Sequence, residues 1–182
     1  MLGLATTTVQ LAAHSPAWLD EGRRISAWLV EITGLPPARI QHVGSTAVSD
    51  LTAKPILDLD LGFGPTEDSN RLVATLIGAG FIDEGKGAAG IVRLLVWESD
   101  LQIRTIHLHV MKHASIRWEC DIAFRNALRT DDVLHERYSK LKAKLAERFP
   151  SNRKAYREGK ATFIRNTLYR INPTAWTKDE ET

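Results

Sequence analysis

Apolar residues recur at helical spacing early in the chain and at strand spacing further on. Trp18, Ile25, Leu29 and Ile32 share one face, and Ser15-Pro16 before them and Gly34 after them predict a helix over 16–33. The segment 40–43 predicts a short strand that stops at Gly44. Residues 55–63 alternate, so a second strand is predicted with leucines on one face and carboxylates on the other.

In the rest of the chain the predicted elements are mostly strands before residue 113 and only helices after it. Before it, a helix is predicted over 67–79 and strands over 80–83, 91–97 and 103–111. After it, apolar residues at helical spacing predict three helices, with Pro150-Ser151 between the last two. The predicted fold is α+β: a sheet core with an N-terminal helix over 1–113 and a helical segment over 114–172 packed on it as one globular unit. Residues 173–182 are expected to form a flexible tail.

Composition restricts the class of protein. The 182 residues include one cysteine, which excludes an intramolecular disulfide and a multi-cysteine zinc site. No apolar run approaches the ~18 residues of a membrane span, and the first residues do not resemble a signal peptide. We therefore expect a cytoplasmic protein with no membrane partner, in which Cys120 belongs to the core.

The charge is unevenly distributed. The net charge is +2, yet residues 111–172 contain 15 Lys and Arg against 7 Asp and Glu. A basic half of this kind attracts phosphates, although solvated helix faces explain the same composition. No block of like charges and no basic–aromatic repeat indicates nucleic-acid binding.

The strongest chemical pattern is Gly44-Ser45 after one strand, followed by Asp58 and Asp60 on the next. Glycine permits a sharp turn close to a ligand, and a following helical turn offers amide groups to an anion. Residues two apart on a strand project from the same face, where two carboxylates suit Mg²⁺ and its phosphate ligands. An ordinary turn and solvated aspartates are the alternatives.

His107 and His109 repeat this geometry on another predicted strand. If the two strands are neighbours, two carboxylates and two imidazoles converge. The histidines would then complete a metal site with Mg²⁺, Mn²⁺ or Zn²⁺, move protons, or hydrogen-bond a phosphate.

Several cations are candidates for binding phosphate. Lys160 and Arg125 lie in or beside the apolar stripes of their helices, so each either extends past the core edge or points into the cleft. Lys54 precedes the aspartate strand. Weaker candidates are Arg93 and Arg104, and His42 is expected to be a packing residue.

The motifs His42-Val43-Gly44-Ser45-Thr46-Ala47-Val48 and Ala53-Lys54-Pro55-Ile56-Leu57-Asp58-Leu59-Asp60 resemble the GrpB-like family. The resemblance continues through His107-Leu108-His109-Val110, Ala123-Phe124-Arg125-Asn126 and Lys160, and covers about residues 10–171. The family is grouped with nucleotidyltransferases related to DNA polymerase beta. The resemblance implies a nucleotidyltransferase fold, phosphates of a nucleoside triphosphate at Gly44 and Ser45, and Mg²⁺ at Asp58 and Asp60. From the geometry of the His107–His109 pair we add His109 as a further metal ligand.

Two departures from that pattern matter. The strand that usually supplies a third carboxylate carries His107 and His109, with Glu98 and Asp100 as substitutes that the sequence does not place. Ser49-Asp50 replaces the Pro-Gly typical of the family.

Three functions follow as hypotheses. The first is Mg²⁺-dependent nucleotidyl transfer from a nucleoside triphosphate to an unknown small-molecule or protein acceptor. The second is a non-catalytic module that binds a nucleotide or a protein partner, and the third is a His/Asp transition-metal site. The sequence leaves the acceptor, the nucleotide, the metal and the oligomeric state open.

Overall fold

The computed structural model describes residues 2–100 and 102–172, so the predicted tail at 173–182 lies outside the described residues. The strands are β1 (Leu4–Ala5), β2 (Ile40–Val43), β3 (Leu57–Phe63), β4 (Ile82–Asp83), β5 (Ile91–Asp100) and β6 (Ile103–Lys112). The helices are α1 (Pro16–Thr33), α2 (Ser69–Gly78), α3 (Ile116–Thr130), α4 (Asp132–Arg148) and α5 (Arg153–Ile171). The predicted α+β class is confirmed.

The sheet is mixed and places the two chemical motifs side by side. Its order is β2-β3-β6-β5-β4, with β1 paired to the start of β6. The central strands β3 and β6 are parallel to each other. On the outer sides of this pair, β2 is antiparallel to β3 and β5 is antiparallel to β6. A parallel pair requires a long crossover, which α2, β4 and β5 supply here.

One face of the sheet forms the main core. Leu57, Leu59 and Leu61 of β3 are 0% exposed and pack with the apolar stripes of α1 and α2. Burying each leucine contributes roughly 2–3 kcal/mol. Because strand residues alternate, this packing fixes the register and turns Asp58 and Asp60 to the opposite face.

The C-terminal helices cover that opposite face. Trp118 of α3 packs with Met111 of β6, and Leu128, Leu134 and Tyr138 form a cluster with the loop residues Val48 and Leu51. Side chains cap these helices: Ser115 accepts a hydrogen bond at the start of α3, Asp131 at α4 and Asn152 at α5. No helix within the described residues is both long and apolar enough to span a bilayer.

Two sequence expectations change in detail. Ser15 stands before α1 as predicted, but its side chain makes no capping hydrogen bond, and Pro16 provides the preset backbone angle instead. The short strand β1 has too few residues to show a pattern in the sequence. Cys120 is half-buried rather than part of the core.

Asp50 of the Ser49-Asp50 pair adopts a left-handed backbone with φ of 61°. We expect Asp50→Gly to raise the free energy of unfolding by about 0.5–1 kcal/mol, because glycine adopts this conformation without strain. Urea unfolding followed by tryptophan fluorescence measures the change. Ser49→Gly is the control, since Ser49 has no positive φ to relieve; equal effects of the two substitutions would contradict the strain argument.

Candidate functional site

The aspartates and histidines form two pairs across the parallel strands. Asp58 lies opposite His107, and Asp60 lies opposite His109. His107 Nδ1 is 3.0 Å from Asp58 Oδ1, and His109 Nδ1 is 2.9 Å from Asp60 Oδ1. The expected convergence of two carboxylates and two imidazoles is therefore present, as two hydrogen-bonded pairs rather than one open cluster.

The two pairs differ in charge. Burial raises the pKa of Asp58, but the hydrogen bond with His107 and the charges of His109 and Lys54 outweigh it, so the net pKa is lowered and Asp58 stays ionised. Burial lowers the pKa of His107 despite Asp58. A neutral His107 that donates its Nδ1–H to Asp58 keeps a lone pair on Nε2. Asp58 is also the more accessible aspartate, with 34% of its side chain exposed.

Asp60 lies deeper in the protein. Its side chain is 0% exposed, and its Oδ2 has no hydrogen-bond partner among the described residues. Burial lowers the pKa of His109, but Asp60, Asp58 and Asp121 outweigh it and raise the net pKa. His109 is thereby favoured as a charged donor to Asp60.

Asp121 of α3 is a carboxylate that the sequence did not point to. Burial raises its pKa to about 6, Asp60 adds to this shift, and Arg117, whose Nε lies 2.5 Å away, opposes it.

Glu98 and Asp100, the substitutes for a third carboxylate that the sequence offered, lie at the β5–β6 turn. Glu98 pairs with Arg104 near the β5–β6 turn, and Asp100 lies opposite Ile103.

Gly44 brings the backbone against Asp58. Its φ of 67° with ψ of −169° favours glycine, and a Cβ built there would lie 2.5 Å from Asp58 Oδ2. Ser45–Ala47 then form a short 3-10 turn. The Gly-Ser turn and the first aspartate are thus in direct contact.

Three lysines surround this turn. Lys54, Lys142 and Lys160 share a small cavity of about 40 Å³ with Ser45, Asp58, His107 and Tyr156. Lys142 is 1% exposed, and its Nζ donates to Ser45 Oγ at 3.1 Å and to the Thr52 carbonyl. Lys160 lies over the Tyr156 ring, with Nζ 4.6 Å from the centroid.

Burial dominates the charge state of these lysines. It lowers the pKa of Lys142 to about 6, with a contribution from Lys160, and it lowers the pKa of Lys160 to about 8. The pKa of Lys54 is lowered by burial and by nearby arginines, although Asp58 opposes the shift. Among the described residues, none of the three makes an ion pair within 4.0 Å. The ionised Asp58 carboxylate in the same cavity raises the pKa of Lys54 and Lys160 but does not outweigh the effect of burial.

Lys142 was not among the cations predicted from the sequence. It falls on the apolar stripe of α4, between Tyr138 and Leu145, all three of which are buried. A lysine at the centre of such a stripe is the signal that identifies it.

The other predicted cations lie away from this cavity. Arg125 donates to the His42 carbonyl at 2.9 Å and to Gln41 Oε1 at 3.0 Å, at the edge of β2. Arg104 pairs with Glu84 and Glu98, and Arg93 lies 3.8 Å from Asp83.

His42 packs against α1, as expected. Its Nε2 lies 3.0 Å from Thr46 Oγ1, and a Cβ on Gly22 would collide with its ring. Burial lowers the pKa of His42 to about 4, so it is neutral near pH 7. These contacts give it a structural role.

Asp58 and Asp60 are the residues that could ligate a metal ion at this site. No group of three or more His, Cys, Asp or Glu side chains in residues 2–100 and 102–172 is arranged to hold a metal alone. Asp58 and Asp60 nevertheless offer oxygen donors on one face, and Asp60 Oδ2 is a buried oxygen without a partner. This set fits Mg²⁺ that takes its remaining ligands from substrate phosphates and water.

Comparison with known proteins places the chain in a family. Residues 8–170 match the family described as GrpB protein. The chain belongs to the GrpB family. The "Glutamate-rich protein GrpB" of Alkalihalophilus pseudofirmus is 29% identical, over 92% of this chain and 98% of that protein. A UPF0157 protein of Pseudomonas aeruginosa is 34% identical, over 89% of this chain and 67% of its own length.

A solved GrpB structure supports the fold. The crystal structure of the conserved protein GrpB from Enterococcus faecalis superposes with a TM-score of 0.77 at 27% identity, covering 92% of this chain and 99% of that one. A dephospho-CoA kinase of Mycobacterium tuberculosis is 32% identical over 81 residues, 43% of this chain and 20% of the kinase. The comparisons establish the GrpB family and fold and do not name a reaction for this chain.

The contact of Gly44 with Asp58 leads to a matched comparison. We expect Gly44→Ala to lower the free energy of unfolding by about 2–4 kcal/mol, since strain and a collision with the carboxylate act together. Gly34→Ala has a similar φ of 70° but nothing within 4 Å of its Cβ, so about 1 kcal/mol is expected. Urea unfolding measures both variants, and equal losses would contradict the contact.

Proposed function

We propose that this GrpB family protein binds the phosphates of a nucleoside triphosphate and transfers its nucleotidyl group to an acceptor. The observation that carries the proposal is the meeting of Lys54, Lys142 and Lys160 beside the Gly44–Ser45 turn and Asp58. A cytoplasmic setting, where nucleoside triphosphates are available, belongs to the same proposal.

The energetics favour a phosphate at this place. Burying an ammonium group whose charge is only partly compensated costs several kcal/mol, and here Asp58 offsets only part of the burial of Lys160, while Lys160 repels Lys142. A phosphate oxygen would restore the lost interactions through charge-assisted hydrogen bonds. Ser45 adds a hydroxyl, and the lack of a Cβ at Gly44 lets the Asp58 carboxylate lie against the same turn.

The remaining residues would divide the chemistry between them. Asp58, which stays ionised, and Asp60 would hold Mg²⁺, which when bound neutralises charge that develops on the phosphates. His107 lines the same cavity and is neutral because burial lowers its pKa. We therefore assign its Nε2 lone pair as the base that would accept the proton of the acceptor group. The lysines would orient the phosphates and stabilise the leaving pyrophosphate.

One observation favours a second candidate function, a non-catalytic phosphate-binding module. The lysine cavity, at about 40 Å³, is small for a whole nucleotide, and the strand bearing His107 and His109 has no carboxylate beside them. The similarity to 81 residues of dephospho-CoA kinases agrees with an accessory module. Catalysis on a nucleotide therefore requires α4 and α5 to leave more room than the cavity of about 40 Å³.

Calorimetric titration with ATP, GTP, CTP and UTP, each with and without Mg²⁺, tests the binding step. We expect Lys142→Met to weaken binding at least tenfold, since it removes an amine that becomes a charged donor when a phosphate raises its pKa. Lys144→Met on the same helix is the control, because Lys144 is exposed and outside the cavity; it should change affinity less than about twofold.

Pyrophosphate release in the presence of candidate acceptors separates the two functions. Asp58→Asn should retain part of the nucleotide affinity and lose release of pyrophosphate. Binding without release by the native protein would support the non-catalytic module. No binding of any nucleotide, or equal affinity in the Lys142 and Lys144 variants, would contradict the proposed phosphate site.

A further inference from the structure

We propose that a second cavity, between α1 and α3 at the free edge of β2, binds a small organic anion: an apolar body that carries a carboxylate or phosphate group. The cavity has a volume of about 500 Å³, which suits a small molecule. It shares no lining residue with the lysine cavity. The proposal stands independently of nucleotidyl transfer.

The α1 side of this cavity is apolar. Leu19, Ala27 and Val30 line it, and Gly22 allows the ring of His42 to lie directly against the helix backbone. The neutral His42 contributes a flat, weakly polar wall. This surface suits an apolar or aromatic ligand body.

The α3 side is cationic. Arg125 and Arg129 lie one helical turn apart and line the cavity, and Arg23 approaches from α1. In the described part of the chain, neither Arg125 nor Arg129 has a carboxylate within 4.0 Å, and no hydrogen bond engages Arg125 Nη2 or Arg129 Nη1. Two adjacent guanidinium groups with free donors match the oxygens of a carboxylate or phosphate.

The same arginines argue against an added peptide strand as the occupant. The edge of β2 is unpaired in the sheet order, and such an edge accepts strands. Arg125 already occupies the His42 carbonyl, and Arg129 donates two hydrogen bonds to the Ala47 carbonyl beyond the strand. A compact anion reaches the guanidinium groups without displacing these bonds.

The cavity is also connected to the first site. The carbonyls that Arg125 and Arg129 hold belong to His42 and Ala47, which flank the Gly44–Ser45 turn. An anion at these arginines therefore contacts the groups that hold that turn in place.

Two-dimensional amide NMR of the full chain tests the proposal with benzoate, phenyl phosphate and the neutral benzyl alcohol as probes. We expect saturable shifts in α1 and at His42 from both anions, with weaker binding of the alcohol. The tighter anion identifies the preferred group. No binding of either anion up to about 20 mM, or equal affinity for the alcohol, would overturn the proposal.

Ala27→Phe fills the cavity from an exposed helix position and should weaken anion binding roughly tenfold. Ala74→Phe on α2 is the matched control, also exposed and outside the cavity, and should leave the affinity unchanged. Near-ultraviolet circular dichroism confirms that each variant is folded. Equal affinities of the two variants would overturn the site.

A charge variant gives a second, independent test. Arg129→Met should weaken anion binding and leave benzyl alcohol unaffected, whereas Arg137→Met, an exposed arginine of α4, should change neither. Lys142→Met should also leave both unchanged. Loss of probe binding in the lysine variant would assign the probes to the first cavity and overturn a second site.

Discussion

The parallel pairing of β3 with β6 is the constraint on which the site depends. Burial of Leu57, Leu59 and Leu61 against α1 and α2 fixes the face of β3, and the register with β6 then places Asp58 beside His107 and Asp60 beside His109. A slip by one residue would bury the charged face and expose the leucines. The same hydrophobic interactions that stabilise the fold therefore position its chemistry.

The charge balance of the site is completed from a distant part of the sequence. The sheet supplies carboxylates, while α4 and α5 bring Lys142 and Lys160 over the Gly44–Ser45 turn. Packing of Tyr138 and Tyr156 holds these helices close and keeps the lysines away from water. The lowered pKa values of Lys142 and Lys160 are the electrostatic consequence, and a phosphate would reverse it.

The sequence predicted an element well wherever its apolar and polar residues recur at a regular spacing. Helical spacing gave α1 at the bounds observed, and alternation gave β3, its two faces and the shared face of His107 and His109. The Gly44–Ser45 turn was predicted from its residue types and its position after a strand, and the family resemblance, now shown over residues 8–170, contains the same two residues. The sequence left two positions open for Lys160, and in the structure it lines the cavity that also contains Asp58 and Lys54.

The positions of Arg125, Lys160 and Asp121 relative to the sheet could not be predicted from the sequence, because they depend on packing between distant elements. Arg125 and Lys160 have similar positions on their helices, yet Arg125 lies at the edge of β2 and Lys160 in the lysine cavity. The proximity of Asp121 to Asp60 follows from the position of α3 over the sheet. Local periodicity contains no information about either placement.

Proton uptake on nucleotide binding tests the central claim most directly. At pH 7.5 Lys142, whose pKa is about 6, is mostly neutral, and a phosphate that raises this pKa will draw a proton from the buffer. Titrations with Mg²⁺-saturated ATP in buffers of different ionisation enthalpy should give about one proton taken up per nucleotide, and less in Lys142→Met. Binding without proton uptake would contradict an anion site built on buried lysines.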